Sequence, residues 1–338
     1  MAFIKKLLVT GVIVSVAAVA GFSYWAKNPL TAEGPAIEFS INPGSGVGAA
    51  AQQMAKAGVP VNPQLFNILA RVTGQAGRIK AGSYELKPNT SPRRLLDQLV
   101  RGEFAQEAVT IVEGWTFKQM RAALAAHDRL RHDTVKLSDE ELMKKLSSEY
   151  TNPEGLFFPD TYLFAKGSSE LAIYKQSHQA MLNHLKAAWE TRDPSLPYKS
   201  PYEALIMASI IEKETGQKSE RSMIAGVFVN RLRTGMMLQT DPAVIYGMGE
   251  RFGGDIRKKD LQTDTPYNTY TRVGLPPTPI SLPGIQSLSA ALAPAKTGAL
   301  YFVSRGDGTS QFSDNLNDHN RAVNQFQRSS SGGRINGR

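Results

Sequence analysis

The sequence lacks cysteine entirely and holds only five histidines among its 338 residues. The absence of cysteine excludes disulfide bonds, thiolate metal sites and a cysteine nucleophile. The histidines show neither H-x-x-x-H nor H-E-x-x-H spacing, so the sequence gives no support for a zinc site. A G-x-S-x-G nucleophile elbow and a phosphate-binding loop are also missing. We therefore expect neither a metal nor a cofactor.

One long uncharged run is present, close to the N-terminus. It covers residues 7–26, and about 20 apolar residues suffice to span a bilayer as a helix. Lys5 and Lys6 precede the run, so the positive-inside rule predicts a cytoplasmic N-terminus and an exported remainder. A cleaved signal peptide is the alternative, because residues 18–20 read Ala-Val-Ala. We favour a retained anchor, because the run continues to Tyr24 and Trp25, which suit a membrane interface.

The chain is basic, with 39 Lys and Arg against 30 Asp and Glu and a net charge of +9. A basic exported protein suits an anionic polymer or a membrane surface. Export argues against nucleic acid, and no basic stripe interleaved with aromatic residues is present. Part of the excess charge lies in residues 328–338, a Ser- and Gly-rich tail that we expect to be disordered.

Two segments of the N-terminal half have the same pattern. Residues 37–41 alternate like a strand and lead through Gly44 to a helical stretch, and residues 109–112 lead through Gly114 to another. The two glycines are 70 residues apart, although chance similarity between two strand–helix units stays an alternative. Small mixed units of this kind bind through surfaces more often than they catalyse.

The whole chain is expected to be α+β, with four parts. They are a cytoplasmic tip and transmembrane anchor (1–30), a small α+β module (31–128), a mixed α+β catalytic domain (129–327) and the tail (328–338). The strongest helix signals lie in the third part: Ser200 as N-cap, Pro201 at the first helical position and Glu203 in a capping box. Other elements are expected near residues 63–72, 78–86, 92–100, 129–150, 170–190, 219–235, 241 onward, 300–312 and 315–326.

Glu212 is the leading catalytic candidate. It follows a nearly all-apolar helical run, residues 204–211, on a face that includes Ala208 and Ser209. An apolar environment destabilises an ionised carboxylate, so a raised pKa is expected there. A carboxylic acid that is still protonated near neutral pH is what glycoside cleavage needs at the leaving oxygen. The small neighbours would let a bulky substrate approach.

Two alternatives to this assignment stay open. Glu212 would be a solvent-facing carboxylate if it pairs with Lys213 or Arg221. Glu214 is a close rival for the catalytic role, although its neighbours Ile210 and Ile211 are bulkier and leave less room for a substrate.

Polar residues in the loops after this helix are candidates for sugar contacts. Gln239 could orient a sugar amide or hydroxyl, whereas Asp241 is also well explained as the N-cap of a helix that starts with Pro242. Tyr267, Asn268 and Tyr270 are of the types that line sugar subsites, but such residues also pack loops.

These motifs together resemble the MltG (YceG-like) family of membrane-anchored endolytic murein transglycosylases. The E-K-E-T motif at residues 212–215 and the L-Q-T-D-P motif at residues 238–242 are the most specific parts. The remaining matching segments are residues 154–157, 159–162, 208–211, 220–221, 226–232, 235–237, 244–247, 267–270, 274–277 and 319–320. The resemblance covers the whole chain, including the anchor.

The resemblance implies that Glu212 is the single general acid/base. It also implies that the chain cleaves the MurNAc–GlcNAc bond within glycan strands, leaves a 1,6-anhydro-MurNAc end and terminates nascent strands. A LysM-like module within residues 37–105 would engage peptidoglycan, and penicillin-binding synthases are expected partners. The location implied is the bacterial inner membrane, with a periplasmic catalytic domain. The substrate-binding residues expected are Gln239, Asp241, Tyr246, Asn268, Thr269, Tyr270 and Glu214.

A single convincing carboxylate fits that reaction. Ordinary glycosidases use two carboxylates, whereas here the sugar's 2-acetamido group would support the oxocarbenium-like centre and the muramic 6-hydroxyl would attack. Gln239, Asn268 and Tyr270 would position the acetamido group. Two rival functions remain: a water-using muramidase with Asp241 as second carboxylate, and a scaffold that binds glycan without cleaving it.

Overall fold

The computed structural model describes residues 2–30 and 33–328, so the predicted disordered tail lies almost entirely outside the described residues. The fold is mixed α+β, as predicted. The chain divides into two compact units, one of residues 1–108 with 163–168 and the other of residues 109–162 with 169–338. The division therefore falls after residue 108, and the predicted module boundary at residue 128 lies within the second unit.

The first unit is a two-stranded antiparallel sheet covered by three helices. Strands β1 (Ile37–Ile41) and β2 (Gly82–Leu86) pair with Phe39 opposite Tyr84. Alternate side chains of both strands are buried, because one face of the sheet packs on a core while the other faces solvent. The covering helices are α2 (Val47–Lys56), α3 (Pro63–Val72) and α4 (Pro92–Arg101).

The apolar N-terminal helix, α1 (Ala2–Lys27), is long and apolar enough over Ile4–Lys27 to cross a membrane. Its last turns also pack on the core of the first unit: Ala26 is buried there, and Phe22 and Trp25 are partly buried against it. The backbone N–H of Leu30 donates to the carbonyl of Thr90 at 2.9 Å. The structure thus attaches the helix to the first unit by packing and by this backbone hydrogen bond.

The second strand–glycine–helix segment is also present. Strand β3 (Gln106–Thr110) pairs with β4 (Thr161–Ala165), and α5 (Phe117–Ala125) follows. Gly44 and Gly114 have φ angles of 78° and 77°, a left-handed conformation that favours glycine. Both segments therefore turn at a left-handed glycine, although β3 ends at Thr110, two residues before the predicted end of the strand at residue 112.

The charged segment before residue 150 is less helical than predicted. Within residues 129–150, all of which the structure describes, the helix that forms is α6 (Asp139–Lys145), and a capping box between Ser138 and Glu141 begins it. Strand β4 was not predicted from the sequence. Its five residues follow directly on an aromatic, turn-rich stretch, which favours a loop.

The second unit is mainly helical. Its further helices are α7 (Glu170–Glu190), α8 (Pro201–Glu214), α9 (Arg221–Arg233), α10 (Asp241–Met248), α11 (Lys258–Gln262), α12 (Ile285–Leu292) and α13 (Leu316–Val323). A hairpin of β5 (Tyr301–Ser304) and β6 (Ser310–Ser313) precedes the last helix.

Helix α8 is the centre of this unit. All residues from Ala204 to Ile211 are buried, and the helix packs against α7, α9, α10 and α12. A helix that is apolar all round is expected to lie inside a protein. The hydroxyl of Ser200 accepts the N–H of Glu203 at 3.3 Å, which confirms the predicted N-cap. The helix ends at Glu214, within the E-K-E-T motif.

Candidate active site

A cavity of about 890 Å³ lies in the second unit, next to the C-terminal end of α8. Its walls come from the ends of α8 and α9, the start of α10, the β5–β6 hairpin and α13. The lining residues are Glu214, Thr215, Gly216, Gln217, Ile224, Arg231, Leu238, Gln239, Asp241, Tyr270, Phe302, Val303, Ser304, Gly308, Thr309, Ser310, His319, Val323 and Gln327. Four of the predicted site residues are thereby brought together: Glu214, Gln239, Asp241 and Tyr270.

Glu214 is the carboxylate at the α8 end of this cavity. Its Oε2 accepts a hydrogen bond from the hydroxyl of Thr240 at 2.9 Å. Burial raises the pKa of Glu214 to about 7, and the nearby Asp241 adds to the increase, while Thr240 and Arg231 act in the opposite direction. A carboxyl group with such a pKa is substantially protonated near neutral pH, which a general acid requires.

Asp241 and Tyr270 form a hydrogen-bonded pair on the cavity wall. The Tyr270 hydroxyl donates to Asp241 Oδ1 at 2.6 Å. Burial and the neighbouring Asp241 carboxylate raise the pKa of Tyr270, so the phenol stays a hydrogen-bond donor. Thr240 occupies the N-cap position of α10 and Asp241 is the first helical residue, which places Asp241 one position later than the predicted cap.

Gln239 has a left-handed backbone, with φ at 53°. This conformation is uncommon for residues other than glycine, and it persists where surrounding contacts fix it. Here the N–H of Gln239 donates to the Thr269 carbonyl at 3.0 Å, and its Oε1 accepts from Arg231 Nη1 at 3.2 Å. The side-chain Nε2 group forms no hydrogen bond within the described ranges 2–30 and 33–328, so it is free to donate to a ligand.

Asn268 and Thr269 do not line the cavity, but they are hydrogen-bonded to segments that do. Asn268 is buried, donates to the carbonyls of Asp260, Leu261 and Thr263, and accepts the N–H of Tyr270. Thr269 is also buried and exchanges hydrogen bonds with the backbone of Thr240. For Asn268 these contacts match the loop-packing alternative, and Thr269, expected from the sequence only as a sugar contact, is likewise hydrogen-bonded within the protein.

Glu212 lies on a different face of α8 from Glu214, because two residues subtend about 200° on a helix. Its side chain is only 5% exposed. Oε1 accepts from Arg221 Nη2 at 3.0 Å and Oε2 accepts the backbone N–H of Gly284 at 2.9 Å. The predicted burial of Glu212 is therefore confirmed, but its carboxylate is paired with Arg221 and the N–H of Gly284 instead of having only apolar neighbours. The alternative of a solvent-facing pair is wrong, because the Arg221–Glu212 pair is buried.

The hydroxyl of Tyr246 is also hydrogen-bonded to another residue of the protein. Its hydroxyl donates to Oε2 of Glu154 at 3.1 Å, and Oε1 of Glu154 accepts the N–H of Phe117 at 2.9 Å. Burial raises the pKa of Glu154 to about 7. The only hint of this buried carboxyl in the sequence was a lone charge within the apolar turn at residues 153–159.

Replacing Glu154 by Gln is expected to weaken the pH dependence of stability. The pKa of about 7 in the folded protein exceeds the ordinary value of 4.5. The contribution of Glu154 to the free energy of unfolding is therefore full below about pH 4.5 and is lost as the pH rises through 7. The difference corresponds to at most about 3 kcal/mol. Chemical denaturation at pH 5 and pH 8 should therefore show a smaller loss of unfolding free energy for Glu154→Gln than for the parent. The exposed Glu140→Gln variant is the control, and an equal loss in parent and Glu154→Gln would contradict the assignment.

The fold and the cavity define a mixed α+β protein with a polar cleft that contains a carboxylic acid suited to proton transfer. Comparison with known proteins identifies the family. The model of the YceG-like family matches residues 39–325. The chain therefore belongs to the YceG-like family.

Curated relatives and one solved structure agree with this membership. The chain is 33% identical over 309 residues to the endolytic murein transglycosylase of Bacillus subtilis, covering 86% of this chain and 84% of that protein. It is 28% identical over 363 aligned residues to the endolytic murein transglycosylase of Streptococcus pneumoniae strain D39, covering 95% of this chain and 64% of that protein. A crystal structure of a YceG-like protein from Listeria monocytogenes superposes with a TM-score of 0.54 at 32% identity, covering 85% of this chain and 98% of that one.

Proposed function

We propose that this protein is an endolytic peptidoglycan lytic transglycosylase. It cleaves the bond from N-acetylmuramic acid to N-acetylglucosamine within glycan strands and leaves a 1,6-anhydro end. Family membership and the names of the curated relatives support the class of reaction. The observation that carries the chemistry is the cleft with Glu214, Asp241, Gln239 and Tyr270 on its walls.

Within this function, the geometry favours Glu214 over Glu212 as the general acid/base. Glu214 lines the cavity and its pKa of about 7 allows both protonation states near neutral pH. Glu212 has both carboxylate oxygens engaged, by Arg221 and by the N–H of Gly284, and does not line the cavity. We assign Glu212 to the support of α8, from which Glu214 projects.

The reaction needs two proton transfers, both through the same carboxyl group. Protonated Glu214 donates its proton to the leaving oxygen as the glycosidic C–O bond breaks, and the 2-acetamido group of the sugar supports the positive anomeric carbon. Ionised Glu214 then takes the proton of the muramic 6-hydroxyl while that oxygen bonds to the anomeric carbon. The acid is regenerated and no water is consumed. General acid/base catalysis of this kind contributes about 100- to 10,000-fold.

The neighbouring polar groups are suited to binding the acetamido group. The Nε2 group of Gln239 is a donor for its carbonyl oxygen, and the Asp241–Tyr270 pair offers a carboxylate oxygen to its N–H. Asp241 is exposed at the cavity wall, so its carboxylate is accessible to a sugar. These roles replace the sugar contacts that the sequence suggested for Asn268, Thr269 and Tyr246.

One observation favours a second function, a muramidase that uses water. Glu214 and Asp241 are two carboxylates on one cavity, and hydrolytic glycosidases use such a pair. Asp241 would then activate water or form the covalent intermediate. The two functions differ in their products, because hydrolysis adds the elements of water and leaves a reducing end.

Mass spectrometry of the soluble products from purified sacculi tests the proposal. The full chain in detergent is the right sample, because Phe22, Trp25 and Ala26 of the anchor helix belong to the packing of the first unit. Anhydro-ended fragments that take up no ¹⁸O from labelled water are the expected result. Reducing ends that carry ¹⁸O would establish the muramidase, and sacculus binding without product would favour the glycan-binding scaffold.

We propose further roles for the N-terminal part. The apolar helix α1 is a retained single-pass anchor in the bacterial inner membrane, with a cytoplasmic N-terminus and a periplasmic catalytic domain. The first unit contains the LysM-like module that engages peptidoglycan, and the enzyme terminates nascent strands beside penicillin-binding synthases. The composition and length of α1 support the anchor, and the resemblance of the sequence to the family supports the other roles.

A further inference from the structure

We propose that His319 is a substrate-contacting residue of the cleft, whose Nε2–H donates a hydrogen bond to an acceptor oxygen of the glycan. The inference rests on the proposed function and adds to it a determinant of glycan affinity. No histidine entered the catalytic scheme derived from the sequence.

His319 faces the cavity from the last helix. It lies in α13 (Leu316–Val323), and Val323, four residues later, lines the same cavity. Residues at i and i+4 share one face of a helix. The helix thus presents one continuous face to the cleft, in which His319 is the polar position. The side chain of Asn315 caps the start of the helix by accepting the N–H of Asp318 at 3.0 Å, which fixes the first turn.

The imidazole ring is held in place by stacking. It lies 5.1 Å from the ring of Tyr301 with the planes 24° apart. The guanidinium of Arg231 also contacts the Tyr301 ring, 5.2 Å from its centre. Arg231 in turn donates to the carbonyls of Leu300 and Leu238 at 2.7 and 2.9 Å. The ring of His319 therefore rests on a support that is tied to two backbone segments, which limits its reorientation.

One ring nitrogen has no protein partner. Nδ1 of His319 is buried and forms no hydrogen bond with any part of the chain that the structure describes. A buried N–H without an acceptor is rarer than an acceptor without a donor, so the neutral tautomer with its proton on Nε2 is favoured. Since Nδ1 is buried, the ring edge that carries Nε2 is the one left to meet a ligand in the cavity.

The surrounding charges favour the uncharged ring. Burial lowers the pKa of His319, and the positive charge of Arg231 lowers it further. Glu214 and Asp241 line the same cavity, and Asp318 beside His319 on α13 is paired with Arg321. A neutral imidazole donates one hydrogen bond without adding a charge, which suits the uncharged hydroxyl and acetamido oxygens of a sugar.

Binding of soluble, uncrosslinked glycan strands to the full chain tests the proposal. All proteins carry Glu214→Gln, so that the strands are not cleaved during the measurement. Glutamine places an N–H group close to the position of histidine Nε2, whereas asparagine places it close to Nδ1. His319→Gln is therefore expected to keep the dissociation constant within about threefold, while His319→Ala and His319→Asn raise it about tenfold, the loss of one hydrogen bond.

The pattern among the three variants decides the outcome. If all three bind like the chain with intact His319, or if His319→Gln is weakened as much as His319→Ala, the proposed donor role is overturned. Thermal unfolding of each variant identifies a merely structural loss, which would lower stability without the rescue by glutamine. If the chain with intact His319 does not bind the strands at all, this inference is overturned. Product analysis of the parent chain reports on the function separately.

Discussion

Replacing Glu214 by Gln is expected to lower the rate of anhydro-product release from purified sacculi by about 100- to 10,000-fold, the usual contribution of a general acid/base. Glutamine still accepts the hydrogen bond from Thr240, but it carries no proton that titrates. The cavity and the bonds of Thr240 should therefore be kept, and the loss should appear in kcat more than in KM. Initial rates by liquid chromatography of soluble fragments give the measurement.

Glu212→Gln is the matched control for this prediction, because it changes the other carboxyl group of the same E-K-E-T motif. It leaves the cavity-lining carboxyl untouched and should keep the rate within about tenfold of the parent at a temperature at which both proteins are folded. The opposite pattern, with Glu214→Gln active and Glu212→Gln inactive while folded, would return the acid/base role to Glu212.

Replacing Arg221 by Met is expected to destabilise the protein by about 3–5 kcal/mol, because it leaves the carboxylate of Glu212 buried without its counter-ion. Both side chains are nearly inaccessible, at 6% and 5% exposure. Within the part of the chain that the structure describes, Nε and Nη1 of Arg221 also lack partners, so the pair is incompletely satisfied. The Arg221–Glu212 pair therefore stabilises the fold mainly because either charge alone would be buried without a counter-ion.

A double variant separates the pair from its parts. Arg221→Met combined with Glu212→Gln removes both charges and keeps an acceptor for the N–H of Gly284, so most of the lost stability should return. Lys213→Met is the control, since Lys213 is exposed and its change should stay within about 0.5 kcal/mol. Chemical denaturation of the four proteins provides the values. A cost of less than about 1 kcal/mol for Arg221→Met would contradict a buried, coupled pair.

Local signals predicted much of the fold because they act within a few residues. Ser200 and Pro201 set the start of α8, and the apolar run of eight residues predicted its burial. The turn glycines Gly44 and Gly114 identified two strand–helix units whose left-handed conformations the structure confirms. Strand β4 was missed, because its pairing with β3 depends on a segment about 50 residues earlier in the chain.

The site was harder to predict because its contacts are distant in sequence. The N–H of Gly284 that holds Glu212 comes 72 residues later in the chain. The walls that form a cavity beside Glu214 come from the hairpin and α13, near residues 302–323. Local sequence therefore identified a motif with two carboxyl groups, whereas the packing of later elements determines which of them faces a cavity. The small neighbours Ala208 and Ser209 are buried, and Ser209 is hydrogen-bonded to Ile280 and Ser281 of a later loop.

The pH dependence of kcat/KM on soluble glycan strands tests the central claim most directly, namely that Glu214 donates the proton. Its pKa of about 7 predicts a rate that is highest when the carboxyl group is protonated and falls as the pH rises through about 7. The small residual rate of Glu214→Gln should lack that descending limb. A parent profile that stays flat from pH 5 to pH 9, or a descending limb that persists in Glu214→Gln, would contradict the account.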